Sequence, residues 1–412
     1  MLKGIIKLRG DKSISHRIAI FSALSDGKCK IKNLSNCEDV IKTIDILKKC
    51  NISIQNKDNN TIIINGGRLT SNAKKFDCGN SGSTARFMLG LLPSHGINGI
   101  LYGDKSLSSR PMQRVIEPLQ KMNININKTK NKLPIAFKQS KAKAIKYTLK
   151  IPSAQIKTAM IFTALSCKEK SYIKDPFKTR DHTERILQYL GLKGSAFSKF
   201  KIAPFNYTVP GDISSASFII SAALLIPHSN ITIKNLLYNK TRIGYIKVLQ
   251  KMGANIIIYN KRNLYNEPIV DMKIQYTNKL TGINLTKDLI VSMIDEIPIF
   301  ALVASFAKGG TKVEGAEELR YKESDRIQAI VNNLKACNIN ITETKDGFII
   351  KDSEILYNTS INIENDHRIA MTFEILKLIK TGSIGKIEEE LPIIKTSFPE
   401  FYQIIRSLHA SF

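Results

Sequence analysis

Apolar positions along this 412-residue chain fall into two alternating rhythms, one helical and one extended. Ile14, Ile18 and Phe21 lie on one face at helical spacing, and that stretch ends near Asp26-Gly27. Residues 28–34, KCKIKNL, alternate as a strand does. Val40, Ile41, Ile44 and Leu47 place an apolar stripe on a helix over 38–50, and residues 52–54 and 61–64 read as a hairpin around Asn59-Asn60. With a strand before Gly10, the order is β-α-β-α-β-β. The same order returns as helix 84–92, strand 99–102, helix 112–122 and a hairpin of 124–126 with 135–137. It returns again as helix 299–307, strand 311–314, helix 325–337 and strands 339–342 and 348–351. A final copy is cut short and ends in a helix from about Pro399.

The repeats have a period of about 70 residues, too long for a short solenoid, so each is a supersecondary unit. Six openings mark them: GDKSISHR from Gly10, GNSGSTAR from Gly79, IPSAQIK from Ile151, PGDISSAS from Pro210, DEIPIF from Asp295 and NDHRIAM from Asn365. Small and hydroxyl residues ahead of an apolar helix leave backbone N–H groups at its positive end, where phosphate or carboxylate binds. The predicted class is therefore α/β in two domains, residues 10–208 and residues 1–9 plus 209–412. Each domain holds three repeats, the hinge lies near 205–209, and ligands are expected in the cleft between the domains.

Composition narrows the function. A formal net charge of +27 admits a nucleic-acid partner, but Lys is spread evenly, no dense basic arm exists and aromatics do not interleave with the cations. A local anion site on a Lys-rich background fits better. Arg17, Arg86, Arg110, Arg180, Arg326 and Arg368 sit in or beside the Gly/Ser motifs, where a planar guanidinium grips phosphate or carboxylate. The six Cys residues form no CxxC pair, which argues against a disulfide framework or a zinc site. Apolar runs such as 218–226 are too short to span a bilayer, and MLKGIIKLRGDK has no secretory h-region. A cytoplasmic protein with no membrane or nucleic-acid partner is expected.

The segments LRGDKSISHR, DCGNSGSTARFMLG, GDKSLSSRPM, PSAQIKTA, TRDHTERIL, PGDISSASF, IDEIP, ELRYKESDRI, NDHRIAM and TSFPEF stand in one order from about Lys7 to Phe401. Together they resemble the 5-enolpyruvylshikimate 3-phosphate synthase (3-phosphoshikimate 1-carboxyvinyltransferase) family. SAQxK, RxHxE and NxTR resemble its second sequence class. The resemblance implies two inside-out α/β barrels of three β-α-β-α-β-β units each. It implies transfer of the enolpyruvyl group of phosphoenolpyruvate to the 5-hydroxyl of shikimate 3-phosphate, on the way to chorismate and the aromatic amino acids. It also implies no metal, no organic cofactor and a monomer acting on small molecules. Two alternatives stand beside it. One is the sister enzyme acting on UDP-N-acetylglucosamine, which shares the fold but uses a loop Cys. The other is a basic nucleic-acid-binding protein.

Carried over motif by motif, the resemblance implies a division of labour. Lys12 lies between the substrates, and Ser13 and Arg17 hold shikimate 3-phosphate with Ser153, Ala154, Gln155, Asp295 and Lys322. Gly82, Arg110, Gln155, Arg180, Arg326 and Arg368 contact phosphoenolpyruvate together with Lys12. Asp295 takes the 5-hydroxyl proton, Glu323 exchanges protons at the methylene carbon, and Lys12 is the third catalytic residue. By residue type alone, these motifs also read as helix caps and solvated ion pairs: an N-cap Ser13, a surface network of Arg180, Asp181, His182 and Glu184, and an acidic helix start at Asp295. One departure is visible. Thr396 stands where many members carry Lys, and Lys395 is offset by one.

Overall fold

The computed structural model describes residues 1–127, 131–356, 361–383 and 389–409. They form two compact units. The N-terminal unit is Arg9–Pro210 with Asn263–Glu267, and the C-terminal unit is Met1–Leu8 with Gly211–Arg262 and Pro268–Phe412.

Three open sheets build the N-terminal unit. Lys28–Lys32 is flanked by Asn206–Thr208 in parallel and by Thr61–Asn65, which in turn pairs antiparallel with Ser53–Asp58. Gly99–Tyr102 likewise lies between a parallel Lys75–Asp77 and the antiparallel Ile135–Lys138, which carries Asn125–Ile126 on its far side. The third sheet joins Lys146–Thr148, Ser171–Lys174 and Ala196–Phe197. Cys29 and Ile31 are buried while Lys28 and Lys32 are exposed, so the strand pleat sorts one face inward.

The helices that open each repeat form the interior. Every residue of helix Lys12–Ala23 from Ile14 onward is buried. The stripe of Ile14, Ile18 and Phe21 is therefore too narrow a reading: Ser15, His16, Arg17 and Ser22 are buried too. Hydrogen bonds offset this at His16, whose Nδ1 lies 2.8 Å from Thr43 Oγ1, and at Ser15, whose Oγ accepts from Ser35 N. Helices Gly82–Ser94 and Ala154–Ala164 pack so closely that a Cβ on Gly90 would lie 2.4 Å from the carbonyl oxygen of Ala159. Thr163 Oγ1 donates to the Gly90 carbonyl across the same contact. The second helices, such as Glu38–Lys49 and Gln113–Lys121, keep a solvated face.

In the C-terminal unit, the chain's first strand, Lys3–Lys7, runs parallel to Asn230–Leu237, which continues through Glu267–Gln275 to Ile256–Leu264. A second sheet orders Asn284–Leu285, Thr311–Val313, Gly347–Ile350 and Ile341–Thr344. Helices Ile213–Leu225 and Ile297–Ser305 are buried at every position, and His367–Thr381 over most of its length. The last repeat shows helices and no strand among the described residues.

The architecture is α/β in two units, with helices inside and sheets outside in each. Every sheet among the described residues is open, with two edges. No helix among them is long and apolar enough to cross a membrane.

Candidate active site

In the N-terminal unit, the first turns of three interior helices gather the expected side chains. Asp11 caps helix Lys12–Ala23 by accepting from Ile14 N at 2.9 Å. This places Lys12 at the first position, 2.8 Å from Asp39. Arg17, one turn on, donates to the Ser13 carbonyl at 2.7 Å, to Thr183 Oγ1 at 2.7 Å and to Thr158 Oγ1 at 2.8 Å. Its guanidinium also lies over the Phe87 ring. Arg180 Nη1 donates to Ser13 Oγ at 3.2 Å. Lys12, Ser13, Arg17 and Arg180 therefore form one cluster.

The second and third helix starts are joined by Gln155 Nε2, which donates to Ser83 Oγ at 3.0 Å. Ser81 and Ser153 are the N-caps of these helices, and Ala154 is the first residue of its own. A Cβ on Gly82 would sit 2.5 Å from Arg86 Nη1 and 3.4 Å from Arg110 Nη1, so a side chain there would push the Arg86 guanidinium aside. Arg110 donates to Asn80 Oδ1 at 2.6 Å and to Ser106 Oγ at 3.2 Å. Asp104, which caps the short helix bearing Ser106, also accepts from Asn80.

The segment bearing Arg180 is anchored by Lys157, whose ion-pair partners lie on it, and by a buried contact of His182. Lys157 Nζ lies 2.9 Å from Asp175 and 2.7 Å from Glu184, which joins the SAQxK and RxHxE motifs. His182 and Glu267, both fully buried, are 2.7 Å apart. Thr179 donates twice to Asp175. The Asp175 carboxyl is held below its ordinary range: burial opposes ionisation, but Thr179 and Lys157 outweigh it. His16 is different. Burial, reinforced by the charges of Lys12 and Arg17, pushes its imidazole well below the usual value, so it is a neutral support and no acid at neutral pH.

The C-terminal unit gathers a second cluster. Asp295 sits in a single 3-10 turn, Ile294–Glu296, that leads into helix Ile297–Ser305. Its carboxylate is 3.7 Å from Lys322 Nζ, 3.7 Å from Arg326 Nη1 and 3.8 Å from Arg368 Nη2. Arg368 Nη1 also donates to the Asp295 carbonyl at 2.9 Å. Glu323 accepts from Arg326 Nη2 at 2.5 Å. The two carboxylates stay partly exposed, at 15% for Asp295 and 16% for Glu323, while Arg326 is 1% exposed.

Asp366 is a residue that sequence reasoning missed. It caps helix His367–Thr381 by accepting from Arg368 N, and it also accepts from Arg326 Nε at 2.8 Å and Nη2 at 3.3 Å. Burial alone would disfavour both charges. Asp366 and then Glu323 nevertheless hold Arg326 more firmly protonated than usual, and Arg326 in turn keeps the Asp366 carboxyl below its ordinary range. The only signal in the sequence is an Asp directly before a helix, which a simple cap explains equally well. Asp325 caps helix Arg326–Ala336 and accepts from Arg320. Lys395 is exposed and Thr396 buried.

Each cluster offers cations and helix N-termini to an anion, and the second adds two accessible carboxylates able to move protons. The chain matches a family model described as EPSP synthase (3-phosphoshikimate 1-carboxyvinyltransferase) over residues 1–405. It is 38% identical over 411 residues to a 3-phosphoshikimate 1-carboxyvinyltransferase of Thermoanaerobacter sp. (strain X514), covering 98% of this chain and 96% of that one. It is 37% identical over 422 residues to the enzyme of that name from Endomicrobium trichonymphae, with 99% and 97% covered. Among solved structures it resembles EPSP synthase from Acinetobacter baumannii, with a TM-score of 0.82, 32% identity, and 99% and 96% of the chains covered.

Proposed function

The chain belongs to the EPSP synthase family, and we propose that it transfers the enolpyruvyl group of phosphoenolpyruvate to the 5-hydroxyl of shikimate 3-phosphate, releasing phosphate. The observation that carries this reading is the Asp295 carboxylate ringed by Lys322, Arg326 and Arg368, with Glu323 bonded to the same Arg326. The reaction needs a base for an alcohol and a proton donor for a carbon, beside cations that neutralise phosphates and carboxylates. Those groups stand together here.

In this reading, Asp295 accepts the proton of the 5-hydroxyl as its oxygen bonds to C2 of phosphoenolpyruvate. A proton reaches the C3 methylene from the side of Glu323. The bond from C2 to the phosphate oxygen then breaks, and Glu323 removes a proton from C3 to restore the double bond. Arg326 and Arg368 grip phosphoenolpyruvate, with Gly82, Gln155, Arg110 and Arg180 serving its phosphate and carboxylate. Lys12, Ser13, Arg17, Ser153, Ala154, Gln155 and Lys322 hold shikimate 3-phosphate, and Lys12 serves both anions. These residues come from both units. The same reading makes the protein a cytoplasmic monomer with small-molecule partners and no nucleic-acid partner.

Phosphate release tests it. Release is expected with both substrates together and not with either alone. Release driven by UDP-N-acetylglucosamine in place of shikimate 3-phosphate would transfer the assignment to the sister reaction.

A further inference from the structure

The fourth repeat opens on PGDISSAS, which reads as one more anion cradle, yet its helix N-terminus is already occupied by the protein's own carboxylates. Asp212 caps helix Ile213–Leu225, accepting from Ser214 N at 2.7 Å and Ser215 N at 3.3 Å. Glu296, from the turn that carries Asp295, accepts a short hydrogen bond from Ser214 Oγ. Arg242 Nη2 donates to the same Ser214 oxygen at 2.8 Å and lies 4.0 Å from Asp212. The hydroxyl thus accepts from the arginine and donates to the glutamate, which gives the chain a single direction. Arg242 is 2% exposed and Glu296 1%, so neither charge is hydrated and each requires a partner.

We propose that Glu296 is an internal anion that positions Arg368, and that Arg242 and Ser214 hold it in place. Glu296 Oε1 is 4.0 Å from Arg368 Nη1, the nitrogen that also donates to the Asp295 carbonyl. Arg368 Nη2 lies 3.8 Å from the Asp295 carboxylate. One end of the guanidinium is therefore set by a buried charge and a backbone oxygen, and its other end faces the reacting groups. A guanidinium pre-oriented in this way loses less freedom when it grips a carboxylate or phosphate. Glu296, Ser214 and Arg242 are positioning residues in this account and touch no substrate. NxTR then has a physical meaning, because its Arg242 fixes a residue adjacent to Asp295.

This inference rests on the reading in which Arg368 grips phosphoenolpyruvate, and the test separates the two. Steady-state kinetics are measured for Glu296→Gln, Ser214→Ala, Ser214→Thr and Arg368→Gln, each shown to be folded by circular dichroism. Glu296→Gln and Ser214→Ala should raise the KM for phosphoenolpyruvate about tenfold and leave that for shikimate 3-phosphate within about twofold. Ser214→Thr, which keeps the hydroxyl, should restore most of the loss. A KM for phosphoenolpyruvate unchanged in Glu296→Gln, or a parallel rise for both substrates, overturns the proposal. If Glu296→Gln does not fold, Ser214→Ala against Ser214→Thr decides by the same criterion. If Arg368→Gln itself spares phosphoenolpyruvate, the site assignment fails and the positioning role falls with it. If only Arg368→Gln has the effect, the positioning role alone fails.

Discussion

Asp295 and Glu323 share cations but not surroundings. Asp295 faces three of them at 3.7–3.8 Å, whereas Glu323 is bonded to one, Arg326, at 2.5 Å. Cations favour the ionised form of a carboxylate, and that is the form able to take up the proton an alcohol loses. Glu323→Gln should therefore suppress both turnover and solvent-deuterium incorporation at the phosphoenolpyruvate methylene while substrates still bind. Asp295→Asn should lower turnover by about 10²–10⁴-fold. Mass spectrometry beside the turnover assay reads both, and near-normal exchange in Glu323→Gln would move the proton role elsewhere. Asp366 supports the pair through Arg326, which donates to it. Its carboxyl is depressed in the folded protein, so the stability it contributes is present above the unfolded carboxylate value of about 3.9. That stability is lost as pH falls through the lower folded value. Asp366→Asn should cost about 3–5 kcal/mol near neutral pH, because it leaves Arg326 buried with one partner fewer. It should also flatten the acid limb of a plot of melting temperature against pH. An unchanged melting temperature would contradict this. The grouping of Lys322, Glu323 and Arg326 with Asp295 was legible in the sequence, since three of them share one motif. Asp366 and Glu296 were not, since a cap and a buried counter-charge look alike until their partners are known.

Elements were legible where one face meets water. The hairpin at Asn59-Asn60, strand Gly99–Tyr102 and helix Glu38–Lys49 follow their periodicities closely. Interior helices were harder to read, because Ser15, His16 and Arg17 are polar yet buried and only tertiary hydrogen bonds reconcile the two. Asn206–Thr208 is only three residues long, too short for a period to identify the sheet it joins. The repeat pattern revealed the helix starts but not how tightly they pack. Gly90 shows that tightness: its helix touches Ala154–Ala164 at a point where a Cβ meets backbone 2.4 Å away. Gly90→Ala should cost about 1–3 kcal/mol by overpacking. Because the same two helices carry Ser83 and Gln155, it should also lower turnover. Calorimetric melting checks the first effect, and an unshifted transition would show that the helices separate freely.

At the scale of the molecule, the net charge of +27 suits two polyanionic substrates, whose association should quicken at low salt. Charge alone does not make an enzyme, and the account depends on residues from both units serving the same ligand. Lys12 belongs to the N-terminal unit and Lys322 to the C-terminal unit. The most direct test is a calorimetric titration of shikimate 3-phosphate into wild type, Lys12→Met and Lys322→Met, with folding verified for each. The account predicts that both substitutions weaken binding, by about tenfold or more. Binding at wild-type affinity in either variant would contradict it.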